Sequence, residues 1–155
     1  MNETLIKNFN SLIKPSDTTY ILGDFAMKGT YENLAFLMNR LNGSKHYIIG
    51  NHCKEKHYIQ MESDGIIESI NQATGISING QYIWISHYAH RVWDKSHHGS
   101  WHLYGHSHGS LPPIGLSWDV GVDNNNYFPV SFDQLSKIMN NRNNEIKALE
   151  YGVYQ

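Results

Sequence analysis

The chain has little thiol, no long apolar stretch and no excess of one charge. A single cysteine, Cys53, excludes an internal disulfide and fits a reducing compartment. The 12 Lys and Arg residues against 14 Asp and Glu leave no broad basic surface for a nucleic acid. No segment is apolar enough to span a membrane, and the N-terminus lacks a signal-peptide pattern. We therefore expect a cytoplasmic protein without a membrane partner.

Histidine, in contrast, is abundant. All 10 histidines lie between His46 and His108. The length of 155 residues suits one domain with a hydrophobic core, and the 10 Tyr, 5 Phe and 4 Trp argue against disorder. We predict a single domain spanning residues 1–155.

In the first third of the chain, helical and strand patterns alternate. The predicted elements are helices over 4–14 and 31–41 and strands over 18–22 and 45–49. The two strands run into the polar segments Gly23-Asp24 and Gly50-Asn51-His52. This alternation favours a layered α/β fold with loops collected at the strand ends.

A hairpin signal dominates the middle of the chain. Asn79-Gly80 separates two runs, 75–78 and 81–86, and is typical of a two-residue turn with positive φ at both positions. The second strand runs directly into His87. A later buried strand carries Leu103 and Tyr104 and stops at Gly105.

Three elements are predicted beyond this strand. They are a strand near 117–120, a helix opened by the capping box 131–134 and ending near Asn140, and a final edge strand over 146–151.

Metal-binding side chains follow four of the predicted strands. They are Asp24, Asn51, His87 and the pair His106 and His108. Each alone has an ordinary interpretation as a turn, cap or core residue, but their joint placement at one sheet edge is hard to explain as packing. If the chain after Gly105 stays extended, both histidines of the pair project from one side. A set of oxygen and nitrogen donors without thiolate suits Mn, Fe or Zn.

These motifs resemble those of the calcineurin-like metallophosphoesterases. The matching segments are Gly23-Asp24, Gly50-Asn51-His52, Ser86-His87, Gly105-His106-Ser107-His108 and the run 119–123. The resemblance extends from about Asp17 to Val130 and is greatest to short bacterial and phage members. It implies an α/β fold, a layered β-sandwich flanked by helices. It also implies a divalent transition metal (Mn, Fe, Zn or Ni), with two ions about 3.5–4 Å apart in the family.

The resemblance also implies roles for individual residues. Asp24 would bridge two ions, because the two oxygens of a carboxylate can reach two cations. Asn51, His87 and His106 would complete one site, and His108 would belong to the other. His52 would act as a general acid or as a donor to a phosphate oxygen, a role that suits the near-neutral pKa of imidazole.

The sequence departs from the family at its start. The family opens with an Asp-x-His motif at the end of a first strand, and residues 1–22 contain none. We expect that strand to be missing, which leaves one complete metal site and half of another. A misassigned start or cut chain, a natural short form with one metal, and ligands from a second chain would each explain it. Cys53 also stands where the family often has an acidic residue.

The loop between two of the ligand motifs adds two further candidates. Arg91 could pair with a phosphate and Trp93 could stack on a base or sugar. The alternative is that the tryptophan packs the loop down and the arginine is solvated.

The leading functional prediction is a metal-dependent hydrolase of a phosphomonoester or phosphodiester. The substrate would be a phosphate ester, with a nucleotide as one candidate, and a metal-activated hydroxide would attack it. The alternative is a pseudoenzyme that holds one metal and acts as a binding or regulatory module. The retained His52 and His108 favour the enzyme, and the absent Asp-x-His favours the pseudoenzyme.

Overall fold

The computed structural model describes residues 2–26 and 28–150, which form an α/β fold of two sheets and four α-helices. The helices are α1 (Asn2–Leu12), α2 (Tyr31–Asn39), α3 (Glu55–Ser63) and α4 (Phe132–Glu150). The strands are β1 (Thr18–Ile21), β2 (Ser44–Ile48), β3 (Ser69–Asn71), β4 (Ala73–Ile78), β5 (Gln81–Ser86), β6 (Trp101–Tyr104) and β7 (Ser117–Asp119).

The first sheet has the order β1-β2-β3, and its strands are parallel. Alternate residues of β2 point to opposite faces of this sheet. Tyr47 packs with residues of α1, α2 and α3, including Ile6, Met38 and Met61. Its neighbour Ile48 packs instead with residues of the second sheet. The first sheet is therefore covered on both faces.

The second sheet has the order β4-β5-β6-β7. Strands β4 and β5 form the predicted hairpin, in which Asn79 and Gly80 have φ angles of 49° and 81°. This prediction is confirmed. Strands β5, β6 and β7 are parallel, so their carboxyl ends lie at one edge of the sheet.

A shared hydrophobic cluster joins the two sheets to α4. It contains Ile48 of the first sheet, Ile83, Ile85 and Leu103 of the second, and Leu135 and Met139 of α4. Both sheets thus contribute to one core, which fixes the positions of their carboxyl ends relative to each other.

The main elements agree with the sequence pattern, but the C-terminal prediction is wrong. The capping box is present, since Ser131 N–H donates to Gln134 Oε1 (2.8 Å) and Gln134 N–H to Ser131 Oγ (3.3 Å). The helix does not end near Asn140 but continues to Glu150. The prediction of an edge strand over 146–151 is therefore wrong for residues 146–150, which are helical. Tyr151 lies outside the described residues.

The physical reason is the spacing of the apolar residues. Leu135, Met139 and Ile146 recur at intervals of four and seven, which is the period of one helix face. Arg142 on α4 also donates to the carbonyl oxygens of Gly115 (2.9 Å) and Pro113 (3.2 Å). Helix α3 and strand β3 were not predicted, because α3 buries only Tyr58 and Met61 and gives a weak pattern.

Within residues 2–26 and 28–150, no helix combines the length and hydropathy needed to cross a membrane.

A buried histidine anchors the loop that covers the outer face of the second sheet. His102 on β6 is fully buried, and its Nδ1 donates to the carbonyl of Trp84 (3.1 Å) while its Nε2 accepts from the backbone N–H of His90 (2.9 Å). Both ring nitrogens are used, so the imidazole is neutral. Burial lowers the pKa of His102 to about 4.

We predict that this histidine makes the fold acid-sensitive. Below pH 6.5 the unfolded chain binds a proton that folded His102 does not, so the free energy of unfolding falls as pH drops from about 6.5 to about 4. The loss from this group approaches about 3 kcal/mol. Urea unfolding between pH 8 and pH 4 would measure it.

The matched comparison uses His102→Gln and His97→Gln, since His97 is exposed. His102→Gln should be less stable at pH 8 but lose less stability on acidification. His97→Gln should keep the wild-type slope. Equal slopes for wild type and His102→Gln would contradict the assignment.

Candidate metal centre

Four side chains predicted to bind metal lie together where β1, β2, β5 and β6 end. Ligand atoms of Asp24, His87 and His106 lie within 4.8 Å of one another. The amide oxygen of Asn51 lies 2.8 Å from His87 Nε2. The structure therefore brings together the residues predicted for one complete site.

Two glycines permit this close approach of strand ends. A Cβ on Gly23, which has φ of 89°, would lie 2.3 Å from His87 Nδ1 and 2.8 Å from Gly50 Cα. A Cβ on Gly50 would lie 2.2 Å from Asp24 Oδ1. Any larger residue at either position would push the ligands apart.

His87 is held in one orientation by a backbone carbonyl. Its Nδ1 lies 2.8 Å from the carbonyl oxygen of Leu22, which can only accept, so Nδ1 carries a proton. Nε2 then faces Asn51 Oδ1 at 2.8 Å and Asp24 Oδ2 at 3.4 Å. His87 is only 2% exposed.

This arrangement fits a cation. When Asn51 presents its amide oxygen, the lone pair on Nε2 of a neutral His87 faces Asn51 Oδ1 and Asp24 Oδ2. Both of these oxygens are also hydrogen-bond acceptors. His87 is the one buried side chain of this set, while Asp24 is half-buried and Asn51 and His106 are exposed. Acceptors that face one another in this way are satisfied by a shared proton or by a positive ion. A divalent metal satisfies all three at once, and the donor set of nitrogen and oxygen atoms suits a transition metal.

Asp24 is oriented by the backbone that follows β2. The N–H of His52 donates to Asp24 Oδ1 (3.0 Å), which leaves Oδ2 on the side of His87. Cys53 supports the same turn, because its sulfur accepts from the N–H of Gly50 (3.2 Å) and contacts the hydroxyl of Tyr47 (2.9 Å). These contacts give Cys53 a role in holding the turn.

The segment after Gly105 is not extended, so that expectation is wrong. His106 and His108 have φ angles of 64° and 47°, in the left-handed region. The turn separates the two imidazoles: His106 joins Asp24 and His87, and His108 lies outside this group of three.

His108 instead pairs with Asp123. Its Nδ1 makes a short contact to Asp123 Oδ2, while the side chain stays 78% exposed. The hydrogen bond to Asp123, and then the charge of that carboxylate, raise the pKa of His108. An imidazole held at Nδ1 by a carboxylate presents Nε2, as many metal-binding histidines do.

A buried carboxylate pins the turn that carries both histidines. Asp119 Oδ2 accepts from Ser107 Oγ (2.6 Å) and the N–H of Gly109 (3.1 Å), and its Oδ1 accepts from the N–H of Gly121 (2.9 Å). Asp119 thereby fixes the turn at 106–109 and the loop that bears Asp123.

Sequence reasoning missed Tyr88, which covers two of the ligands. Its ring lies 4.9 Å from the ring of His87 and 4.7 Å from that of His106, both edge-on, and the side chain is 48% exposed. Its position directly after the predicted ligand His87 is the sequence feature that could have indicated it.

His52 lies on the exposed side of the centre, in a small notch beside Lys28 and Lys54. The buried hydroxyl of Tyr58, another residue of the notch, makes no hydrogen bond with the described residues. Burial raises the pKa of Tyr58 to about 12, so this hydroxyl keeps its proton. The two lysines were missed because a lysine in a loop has no distinctive pattern.

The two loop candidates have different environments. Arg91 is exposed. The indole N–H of Trp93 donates to Ser100 Oγ (3.0 Å), and its ring lies 5.3 Å from that of His102. These contacts match the packing interpretation of Trp93.

Comparisons with known proteins give relatives without an assigned activity. The chain matches no protein-family model. Uncharacterized protein MJ1445 of Methanocaldococcus jannaschii is 29% identical in an alignment of 147 residues that covers 90% of this chain and 75% of that protein. The crystal structure of AQ665, a protein of unknown function from Aquifex aeolicus, matches with a TM-score of 0.68 and 22% identity over 88% of this chain and 84% of that chain. This similarity shows a shared fold.

We predict one tightly bound divalent ion per chain. Metal-free protein should gain stability on addition of Mn²⁺, by about 2.7 kcal/mol when free metal reaches 100 times its Kd. His87→Ala should abolish the gain, because it removes the central ligand. Thermal unfolding with elemental analysis would measure both.

His97→Ala is the matched control, since His97 is exposed and should leave metal binding unchanged. Two tightly held ions per chain, or an equal loss of metal in His97→Ala, would contradict this prediction.

Proposed function

We propose that this chain is a metal-dependent phosphoesterase with the layered fold of the calcineurin-like metallophosphoesterases. The observation that carries the proposal is the meeting of Asp24, Asn51, His87 and His106, in which an imidazole nitrogen faces two oxygen acceptors. The ordered motifs that contain these residues support the same assignment.

The proposed cofactor is one divalent ion of Mn, Fe, Zn or Ni, held by these four side chains. When bound, such an ion acts as a Lewis acid on phosphate oxygens and lowers the pKa of bound water. The chain itself supplies the orientation of each ligand, through Leu22 for His87 and through the N–H of His52 for Asp24.

Basic side chains beside the centre support a phosphate substrate. Lys28, His52 and Lys54 line a basic notch of about 10 Å³, which has room for a water molecule only, so a phosphate would lie at the surface above it. The backbone N–H of His52 donates to the proposed ligand Asp24. Two ammonium groups attract a phosphate ester toward the centre. The exposed imidazole of His52 can then donate a proton to the leaving oxygen or hold a phosphate oxygen.

His108 and Asp123 would form half of a second site. Nε2 of His108 is available, while Nδ1 is held by the carboxylate. A second, weaker ion here would match the family's pair. His108 lies outside the group formed by Asp24, His87 and His106. We therefore propose that the ion held by this group binds more tightly than an ion at His108.

The competing proposal is a binding module with one metal and no turnover. The separation of His108 from the other ligands favours it. A measurement of turnover decides between the two proposals, because a binding module would hydrolyse no substrate. Only the enzyme needs a proton donor such as His52 beside the metal.

We predict different effects for two histidines that both contact Asp24. His52→Ala should keep its metal and lose turnover by roughly 10²–10⁴-fold, the effect typical of a lost general acid. His87→Ala should lose both metal and turnover. Hydrolysis of p-nitrophenyl phosphate and bis(p-nitrophenyl) phosphate with Mn²⁺, Ni²⁺ or Zn²⁺ would measure turnover.

His98→Ala, at an exposed position, serves as the control and should match the wild type. Loss of metal from His52→Ala would refute its assignment to proton transfer. Metal binding without hydrolysis of either substrate by the wild type would favour the binding module.

A further inference from the structure

A second cleft lies at the carboxyl ends of β6 and β7. Its volume is about 240 Å³, far larger than the notch beside His52. Side chains that line it include Tyr104, Leu111, Pro113, Trp118, Asn124 and Asn125.

The cleft shares its walls with the loops of the metal centre. Gly109, which lines it, follows His108, and Asn124, also in its wall, follows Asp123. Buried Asp119 binds the backbone of Gly109 and Gly121 and so holds both loops in place. A group in the cleft would therefore lie beside the turn that carries His106.

The outer wall of the cleft is fixed rather than loose. Arg142 donates to the carbonyls of Pro113 and Gly115, which ties this segment to α4. Ser117 Oγ accepts from the N–H of Ile114 (3.1 Å) and donates to its carbonyl (2.7 Å). A preformed wall lowers the entropic cost of binding.

The lining favours an uncharged ring. Trp118 and Pro113 offer flat apolar surface, while Asn124 and Asn125 offer amide groups. None of the described residues that line it is cationic, and Asp119 contributes negative charge. Arg142 lies behind the wall and is occupied by the carbonyls of Pro113 and Gly115, so the lining itself offers no cation to a second phosphate. The volume of about 240 Å³ lies below the roughly 300–1,000 Å³ of drug-sized pockets, so a ligand here would be no larger than about one nucleoside.

We infer that this cleft binds the uncharged organic group of the ester, a ring system of nucleoside size. The inference rests on the proposed phosphoesterase function and deepens it. The basic notch lies in the loops after β1 and β2, and the cleft lies in the loops after β6 and β7. The four proposed metal ligands follow β1, β2, β5 and β6, so two of them share loops with the notch and one shares a loop with the cleft. A phosphate would thus meet the basic side, while its organic group enters the neutral cleft.

Adenosine is the probe, because it carries the ring without the phosphate. In metal-free protein, adenosine should shift the indole N–H signal of Trp118 in a saturable way, with the signal assigned from Trp118→Phe. Inorganic phosphate should leave that signal unchanged. The experiment needs no turnover, so its failure is distinct from failure of the proposed hydrolysis.

Leu111→Trp should fill the cleft and weaken adenosine binding at least tenfold. Leu111 is 46% exposed, so the fold should tolerate the change. Leu12→Trp is the matched control, since Leu12 is 52% exposed on α1, and it should bind adenosine normally. If Leu111→Trp does not fold, exposed Asn124→Leu tests the same wall.

Unchanged adenosine binding in a folded cleft variant, or no Trp118 shift in the wild type, would overturn the inference. In an active enzyme, Leu111→Trp should also raise KM for adenosine 5′-monophosphate at least tenfold while leaving KM for methyl phosphate unchanged. Equal effects on both esters would likewise overturn it. Adenosine binding without hydrolysis of any ester would refute the proposed function and leave the cleft as a nucleoside site.

Discussion

The hydrogen bond from His87 Nδ1 to the carbonyl of Leu22 is the contact on which the candidate centre depends. It links the end of β5 in one sheet to the end of β1 in the other, at 2.8 Å. Because the carbonyl can only accept, the bond also fixes the tautomer of a nearly buried imidazole. The same contact therefore joins the two sheets at this edge and directs Nε2 toward Asp24 and Asn51.

This contact explains why small residues precede the ligands. Neither Gly23 nor Gly50 has space for a Cβ. At Gly23 it would meet His87 and Gly50, and at Gly50 it would meet Asp24. The N–H of Gly105 donates to the carbonyl of His87 (3.1 Å), which brings β6 to the same point. Strand ends packed this closely place polar side chains in a small volume, and a positive ion would satisfy the acceptors that face His87 Nε2.

The sequence allowed the meeting of Asp24, Asn51, His87 and His106 to be predicted, because each follows a strand with a clear pattern and a small residue. It did not allow the turn after Gly105 to be predicted. His106 and His108 adopt left-handed backbone that a histidine seldom shows, and the cause is distant Asp119, which binds the backbone of Gly109 and the hydroxyl of Ser107. The continuation of α4 past Asn140 does follow a local pattern, the apolar period of Leu135, Met139 and Ile146. The contacts of Arg142, whose partners are 27 and 29 residues away, leave no local pattern.

Asp119 shows how one buried group can serve both the metal centre and the cleft. Its two oxygens accept from three donors in two loops, so its charge stabilises a turn that would otherwise be strained. That turn directs His106 toward Asp24 and His87 and leaves His108 with Asp123. Beyond the carboxylate, the same two loops form the walls of the 240 Å³ cleft. Because both loops share this anchor, a group bound in the cleft would be held in a defined position relative to the proposed metal ligands, as the proposed hydrolysis of an ester would require.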